Sequence, residues 1–497
     1  MASAGFKPSG QTSVWRAAAQ AATGQHPLMQ GLSAAAPMPL KQHRQHVNPP
    51  RKGNPPWPRG CGQTRAEATA TDHVDWMSAE GENPPMSTPT PQITWPDDDG
   101  VPQHADWRSL AGHPAPQKVV VADDTMRADT AYRLADSGCG LLWRGDYQNA
   151  RHLLQALGRR LDARSKQPGK HAEQRPGKRP DKRPDKRPDT GLDTGPDTPP
   201  NKPTQDLTAA FHTQRLQQAH RARILGQLLL PFNTDHSLPL RRAPDVRAAG
   251  QQAHGTVAAH YVASLRELMG VVGAFEWRKK GVPVPALGEP IHPHHGVFSP
   301  VRGEYVGLVA DAPLPAAALS GGAVDVGCGT GVLAAVLARR GLQVVGTDTS
   351  ATALACAADN LRRLGLQRQV TLQMVDLFPP GQAGLIVCNP PWVPAPAASV
   401  LEAAVYDPDS RMLRGYLAGL AAHLAPGGEG WLILSDLAEH LGLRPRASLL
   451  AWISAAGLQV AGRLDTKPIH ARAADSSDPL HAARAAETTS LWRLVVA

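Results

Sequence analysis

Two groups of residues in this 497-residue chain combine types that can hold and activate a small planar group. The later one is Ile386-Val387-Cys388-Asn389-Pro390-Pro391-Trp392. An apolar run that breaks into Asn-Pro-Pro-aromatic reads as a buried parallel strand ending in a rigid, polar-edged turn. In open α/β sheets ligands bind at the carboxyl ends of strands. The Asn389 side-chain oxygen and the Pro390 carbonyl are acceptors for both N–H bonds of a flat nitrogen. An amide or exocyclic amine is a poor nucleophile because its lone pair is delocalised. Acceptors fixed in place stabilise the positive charge that grows on such a nitrogen as it attacks. Pro390 and Pro391 keep the turn rigid and bring no competing N–H, while Trp392 adds a flat stacking face. An Asn-Pro turn that merely ends a strand is the plainer reading. The aromatic in fourth place, the strand position and an upstream glycine loop favour chemistry.

That loop is Asp325-Val326-Gly327-Cys328-Gly329-Thr330-Gly331. Glycines between a strand and a helix let the backbone turn sharply and approach a ligand, and the helix N-terminus offers free N–H groups. A pyrophosphate-holding loop would show Gly-x-Gly-x-x-Gly, whereas position 332 here is Val. The carboxylate of Asp325 would repel phosphate and suits a cationic or amino-bearing ligand. Asp348 follows at the end of the next strand, where an acid can accept both ribose hydroxyls of a nucleoside. It could instead cap the following helix, a role open to Ser350 as well. Asp376, ending the third strand, can border an adenine edge or serve only as a turn residue.

The elements that must position these residues alternate from about residue 296. Strands are expected over 323–326, 343–346, 370–375, 384–388, 430–434, 458–464 and 491–496. Helices are expected over 331–340, 351–364 and 412–424, the last stopped by Pro426-Gly427-Gly428. Alternation at this spacing means a mostly parallel sheet with helices on both faces. Asp407-Pro408-Asp409-Ser410 is expected to cap the helix after the Asn-Pro-Pro-Trp turn.

Upstream, residues 1–118 are rich in Pro, Ala, Gly and Gln and are expected to form a disordered basic tail. Residues 119–163 space Ala131, Leu134 and Ala135, then Leu141, Leu142, Leu153, Leu154 and Leu157, as two helices. Residues 164–206 form a charged Pro-rich linker with three Lys-Arg-Pro-Asp units, read as a solvated spacer. Residues 207–295 resume helical spacing over 209–230 and 255–275, giving a small helical substrate-selecting region. His292, His294 and His295 sit in a Pro-broken loop, which points adjacent side chains apart, so no metal site is expected.

The formal charge of +9 suggests nucleic acid until it is located. Ahead of Glu67 the chain holds eight Lys and Arg and no acid, which leaves 44 basic against 43 acidic residues from there on. The basicity therefore belongs to the tail. Five scattered cysteines without a Cys-x-x-Cys pair argue for a reducing compartment, and no run is apolar enough to span a bilayer. A cytoplasmic location is expected. The Ala, Ser and Arg content of the tail is also compatible with an organelle transit peptide.

With these residues in hand, 296–497 resembles the class I S-adenosylmethionine-dependent methyltransferases. The Asn-Pro-Pro-Trp stretch is similar to the motif of their amino-directed members: adenine-N6 enzymes, guanine-N2 ribosomal RNA enzymes and release-factor glutamine enzymes. Within them the "methyltransferase small domain" group is closest. Gly296-Val297-Phe298-Ser299 looks like a stretch of the guanine-N2 enzymes, and Pro300-Val301-Arg302-Gly303-Glu304-Tyr305 loosely like one of the glutamine enzymes. The resemblance implies a seven-stranded, doubly wound, Rossmann-like α/β domain. It implies S-adenosyl-L-methionine as cofactor, with Asp325, Gly327, Gly329 and Gly331 at its methionine part, Asp348 at the ribose and Asp376 at the adenine. It also implies Asn389, Pro390, Pro391 and Trp392 as the catalytic set. The acceptor would be a nucleobase amine, RNA before DNA, or else a protein glutamine amide. A cofactor-binding module without catalysis is the reading from another class, and it leaves Asn389 and Trp392 without a purpose.

Overall fold

Leucine-rich segments ahead of the glycine loop form strands as well as helices. The protein is described here from a computed structural model that covers residues 90–97, 99–165, 206–300, 303–399, 401–468 and 475–497. Most of the expected tail, most of the linker with its Lys-Arg-Pro-Asp units, and Val301-Arg302 lie outside these residues. In chain order the first region holds β1 (Gln92–Pro96), β2 (Pro102–Trp107), β3 (Lys118–Ala122), α1 (Ala128–Asp136), β4 (Cys139–Trp143) and α2 (Tyr147–Ser165). It continues with α3 (Leu207–Leu225), β5 (Leu228–Phe232), α4 (Arg247–His254), β6 (Tyr261–Ser264) and α5 (Leu265–Lys280). The six strands form one mixed sheet in the order β1-β2-β6-β5-β4-β3.

Two expectations are corrected by this sheet. The region taken as helical is α/β, and ordered strands begin at Gln92, well inside the stretch taken as a disordered tail. Leu141 and Leu142 belong to β4, which is buried at every position, and Tyr261 belongs to β6. So short an apolar run has no period to separate a buried strand from a buried helix. Two of the scattered tryptophans, Trp95 and Trp107, pack with Ile93, Val119 and Val262 beneath the sheet.

α3 joins the two halves of the molecule. Asp206 caps it by accepting from Thr208 N and Ala209 N. Its first turns lie on the C-terminal region: Phe211 packs with Val393, Ala395, Tyr406 and Leu441, and Thr208 Oγ1 donates to the Leu441 carbonyl at 2.7 Å. Arg215 donates to the Pro396 carbonyl at 2.8 Å and pairs with Glu402 at 3.1 Å, with its guanidinium 4.0 Å from the Tyr406 ring centre. Its last turns lie on the first region, where Arg221 pairs with Asp162 and Arg223 with Asp136. A helix with two different neighbours needs no single apolar stripe.

After the hairpin β7 (Val282–Val284) and β8 (Glu289–Ile291) come α6 (Glu304–Asp311), α7 (Ala316–Gly321), β9 (Ala323–Val326), α8 (Val332–Arg339), β10 (Val344–Asp348), α9 (Ala351–Arg363) and β11 (Val370–Met374). Then follow β12 (Ala383–Cys388), α10 (Arg411–His423), β13 (Leu424–Ser435), α11 (Leu437–His440), α12 (Arg446–Ala455), β14 (Leu458–Thr466), α13 (His481–Ala486) and β15 (Thr489–Val496). The seven strands run in the order β11-β10-β9-β12-β13-β15-β14, parallel except for β15, which is antiparallel to both neighbours. All seven expected strands are present. β13 starts earlier than expected, at Leu424, so Pro426-Gly427-Gly428 lies in the strand, while the helix before it stops at His423. Alternate residues feed the two faces. Leu385, Val387, Trp431 and Ile433 pack under α6 and α8, and Val326, Ile386, Cys388 and Leu432 under α10 and α12.

The docking of α3 is open to a direct test. Phe211 is 4% exposed, and Phe211→Ala should cost about 3–5 kcal/mol. Leu216 on the same helix is 72% exposed, and Leu216→Ala should change stability by less than about 0.5 kcal/mol. Urea unfolding followed by tryptophan fluorescence measures both.

Candidate active site

The sheet order reverses between β9 and β12. β10 and β11 lie on one side of β9, while β12 returns to its other side, in register with Val326 opposite Cys388. The glycine loop and the Asn-Pro-Pro-Trp turn therefore leave adjacent strand ends together, at the point where open α/β sheets form a ligand crevice.

Gly327, Gly329 and Gly331 all have positive φ, at 69°, 52° and 76°. A Cβ at Gly327 would stand 2.6 Å from the Met412 methyl, and its φ of 69° favours glycine there. At Gly329 an added Cβ would meet nothing within 4 Å, so this turn of the loop faces open space. The loop is held by Cys328 N donating to the Thr347 carbonyl at 2.8 Å, and by Gly329 N donating to Asp348 Oδ2 at 3.0 Å. Asp348 Oδ1 accepts from Ser350 N at 2.9 Å. Ser350 caps α9 by accepting from Ala353 N, which leaves Asp348 for the loop. Each Asp348 oxygen keeps a second lone pair, and the residue is half-buried at the mouth.

Asp325 is placed differently. It is 1% exposed beneath the loop, where Oδ2 accepts from Ala334 N at 2.8 Å in the first turn of α8. Burial, less the help of that bond, pushes its carboxyl up to about 7, and the nearby Asp348 charge adds to the rise. Asp376 is exposed just beyond β11. Its segment is fastened by Thr347 Oγ1, which donates to the Leu377 carbonyl at 2.7 Å.

At the other strand end, Trp392 Nε1 donates to Asn389 Oδ1 at 2.9 Å. The indole thus takes one acceptor position of the carboxamide and fixes its orientation, and one lone pair remains. Pro390 is buried, and Asn389, Pro391 and Trp392 are half-buried. Trp392 reaches the packing on both sheet faces and the cluster around Phe211. Tyr305, from α6, stands edge-on to the indole at 6.3 Å, and its hydroxyl lies near the Asn389 side chain. Burial, with the Asp325 charge behind it, holds that phenol above its usual range. Neither Tyr305 nor Met412 is singled out by sequence pattern. The only signal for Tyr305 is its place in the Pro300–Tyr305 stretch, because its partner Asn389 lies far along the chain.

Asp407 accepts from Met412 N and Leu413 N at 3.0 and 3.3 Å and so caps α10. Asp409 and Ser410, beside it, are non-glycine residues with φ of 55° and 53°, a backbone strain of the kind that gathers near functional sites. The histidines of the 292–295 loop take separate partners: His292 Nδ1 the Arg278 carbonyl, and His294 N the Cys356 sulfur.

Residues 290–440 match the sequence model of the methyltransferase small domain family. The ribosomal RNA small subunit methyltransferase C of Alcanivorax borkumensis is 36% identical over 23% of this chain and 32% of its own. The release factor glutamine methyltransferase of Cereibacter sphaeroides is 36% identical over 29% of this chain and 50% of its own. The chain thus spans between a third and a half of the length of these curated relatives. Among solved structures, the geranyl diphosphate C-methyltransferase of Streptomyces coelicolor A3(2) is 19% identical over 44% of this chain and 89% of that one, with a TM-score of 0.31. No helix among the described residues is long and apolar enough to cross a membrane.

The buried carboxyl makes a pH prediction. Asp325 titrates near 7 when folded and near 3.8 when unfolded. Between about pH 4 and 7 the folded chain keeps a proton that the unfolded chain has lost, so stability falls as pH rises through that window. The full loss is about 4 kcal/mol. Urea midpoints taken across the window should decline for the wild type and stay flatter for Asp325→Asn. Parallel declines in the two proteins would refute the assignment.

Proposed function

We propose, from the premise that residues 290–440 are a methyltransferase small domain, that this protein moves the methyl group of S-adenosylmethionine onto a planar nitrogen. A nucleobase exocyclic amine in RNA is the acceptor we favour. The observation that supports the reading is the pairing of β9 with β12, which brings the Gly327–Gly331 loop and the Asn389–Trp392 turn to neighbouring strand ends.

The residues present fit the cofactor. The open face at Gly329 lets the loop backbone approach it, and Asp348 keeps lone pairs for two ribose hydroxyls. Asp325 lies beneath as a carboxyl that a cationic neighbour would draw toward its ionised form, and Asp376 lines the outer side. When bound, the cofactor supplies an electrophilic methyl group on a sulfonium. The remaining work is placement, because an in-line displacement depends on where the nucleophile is held. The free lone pair of Asn389 Oδ1 and the Pro390 carbonyl accept the two N–H bonds of the acceptor nitrogen. Trp392, locked by its bond to Asn389, offers the flat face. A nitrogen that took the methyl would gain positive charge facing those oxygens as the methyl's C–S bond broke and the thioether left, and would then shed one proton to water. Tyr305 holds Asn389 from behind and is a positioning residue.

Ribosomal RNA enzymes among the relatives support the nucleobase. Glutamine enzymes of equal identity, one covering half its own length, support a protein amide as the second reading. Both acceptors are flat nitrogens bearing two hydrogens. A base inside a duplex would have to be flipped out or presented single-stranded.

Labelled S-adenosylmethionine offered separately with ribosomal RNA, DNA and release factor distinguishes the readings. Label is expected in RNA, whereas label in release factor alone would transfer the assignment to the amide. Label in none, with cofactor still bound tightly, would mean a module without catalysis. Asn389→Ala should lower kcat by about 10²-fold while leaving cofactor affinity intact. Asp348→Ala should do the reverse, weakening cofactor binding by roughly tenfold or more for the loss of charge-assisted hydrogen bonds. Calorimetric titration and turnover, measured on both variants, test that separation.

A further inference from the structure

A groove of about 640 Å³ runs between α10 and α12, on the sheet face opposite α6 and α8. Its volume lies within the range of ligand clefts, roughly 300–1,000 Å³. Arg411, Arg414, Gly415 and Leu417 line it from α10, and Trp452 and Ala455 from α12. The two arginines are exposed, and at i and i+3 on a helix they share a face. The Arg414 guanidinium lies 5.5 Å from the Trp452 ring centre, so a cation and a flat ring meet across the groove.

Several neighbouring arginines are held in ion pairs. Nearby, Arg446 pairs with Glu439, Arg463 with Asp465, Arg493 with Glu429 and Arg215 with Glu402. Those cations are bound to carboxylates of the fold. No ion pair among the described residues engages Arg411 or Arg414; Arg414 lies over the Trp452 ring, and Arg411 feels the longer-range attraction of Asp407. One end of the groove is tied to the glycine loop through the start of α10. Arg411 is followed by Met412, whose methyl packs over Gly327, and Asp407 caps the same helix start.

We infer that this groove is the docking track for a single-stranded segment of nucleic acid leading to the acceptor site, with phosphates on Arg411 and Arg414 and a base on Trp452. The inference rests on the nucleobase reading above. An apolar wall that carries a flat ring, facing two cations without ion pairs on one helix face, suits a backbone with stacking bases. An acidic peptide would answer the cations but leave the ring face without a planar partner.

The test uses the full chain and a short, fluorescently labelled, single-stranded oligoribonucleotide of mixed sequence, with anisotropy followed over roughly 50 to 200 mM salt. Arg411→Ala/Arg414→Ala should weaken binding at least tenfold and reduce the salt slope by about 1.4, from about 0.7 per phosphate contact on a single strand. Trp452→Ala should weaken it as well, and Trp452→Phe should restore most of the loss. Cofactor affinity, read by calorimetry, should be unchanged in all of them, which separates lost docking from lost folding. Wild-type affinity and slope in the double arginine variant would overturn the inference, even with RNA methylation intact. Tighter binding of an oligoglutamate peptide than of RNA, abolished by the same variants, would overturn it in favour of a protein occupant. Should the oligonucleotide bind through the groove while label from S-adenosylmethionine enters release factor alone, the docking inference stands and the acceptor reading fails.

Discussion

Val326 and Cys388 face each other as the last residues of two adjacent parallel strands, and the site depends on that register. Parallel strands carry their carboxyl ends to one edge, so a loop leaving β9 and a turn leaving β12 have to emerge together. A slip of a single position would turn the alternate side chains of β12 to the wrong faces. Leu385 and Val387 would then leave the packing under α8, and Ile386 and Cys388 the packing under α10. Because both faces of the sheet are buried, the register is held by apolar packing on two sides. The rigidity needed at Asn389 therefore comes from residues that touch no ligand.

On that frame the polar groups divide into those that hold the backbone and those that remain open. Asp325 is committed inward to Ala334, and Asp348 is bonded to the loop and to Ser350 with acceptor capacity left over. Asn389 is committed in part, to the Trp392 indole. If Trp392 is the stacking face, as proposed, this one contact couples orientation of the carboxamide to recognition. Tyr305 adds a second constraint on the same carboxamide from a different helix. A site organised before its ligands arrive has less reorganisation to undergo during reaction.

How much of this was legible in the sequence depended on the range of the forces. The seven strands of the C-terminal sheet were, because each apolar run is flanked by turn residues and followed by helical spacing. So were the cap at Asp407 and the glycine loop, where local backbone demands select residue types. The first region was misread because β4 and β5 are short apolar runs that carry no period, and because β1 and β2 lie in a Pro-rich context. Contacts such as Tyr305 with Asn389, or Phe211 with Val393, join residues far apart in sequence and leave no local pattern. The inward commitment of Asp325 was equally hidden, since burial depends on the packing of α8 over the strand.

Net charge shows the same distinction between local and global. The chain's formal +9 is largely that of the segment ahead of Glu67, and long-range fields in salt decay within a Debye length of about 8–10 Å. What a surface recognises is therefore set by its unpaired neighbours. In the C-terminal region most arginines are neutralised by carboxylates across strands and helices, and they fasten the fold. Arg215 does so between α3 and the loop that follows Trp392, tying the first region to the acceptor side of the site. Arg411 and Arg414, without an ion pair beside Trp452, remain open to an anion. On the proposed reading, two cations free of ion pairs on one helix face say more about an anionic ligand than a balance summed over 497 residues.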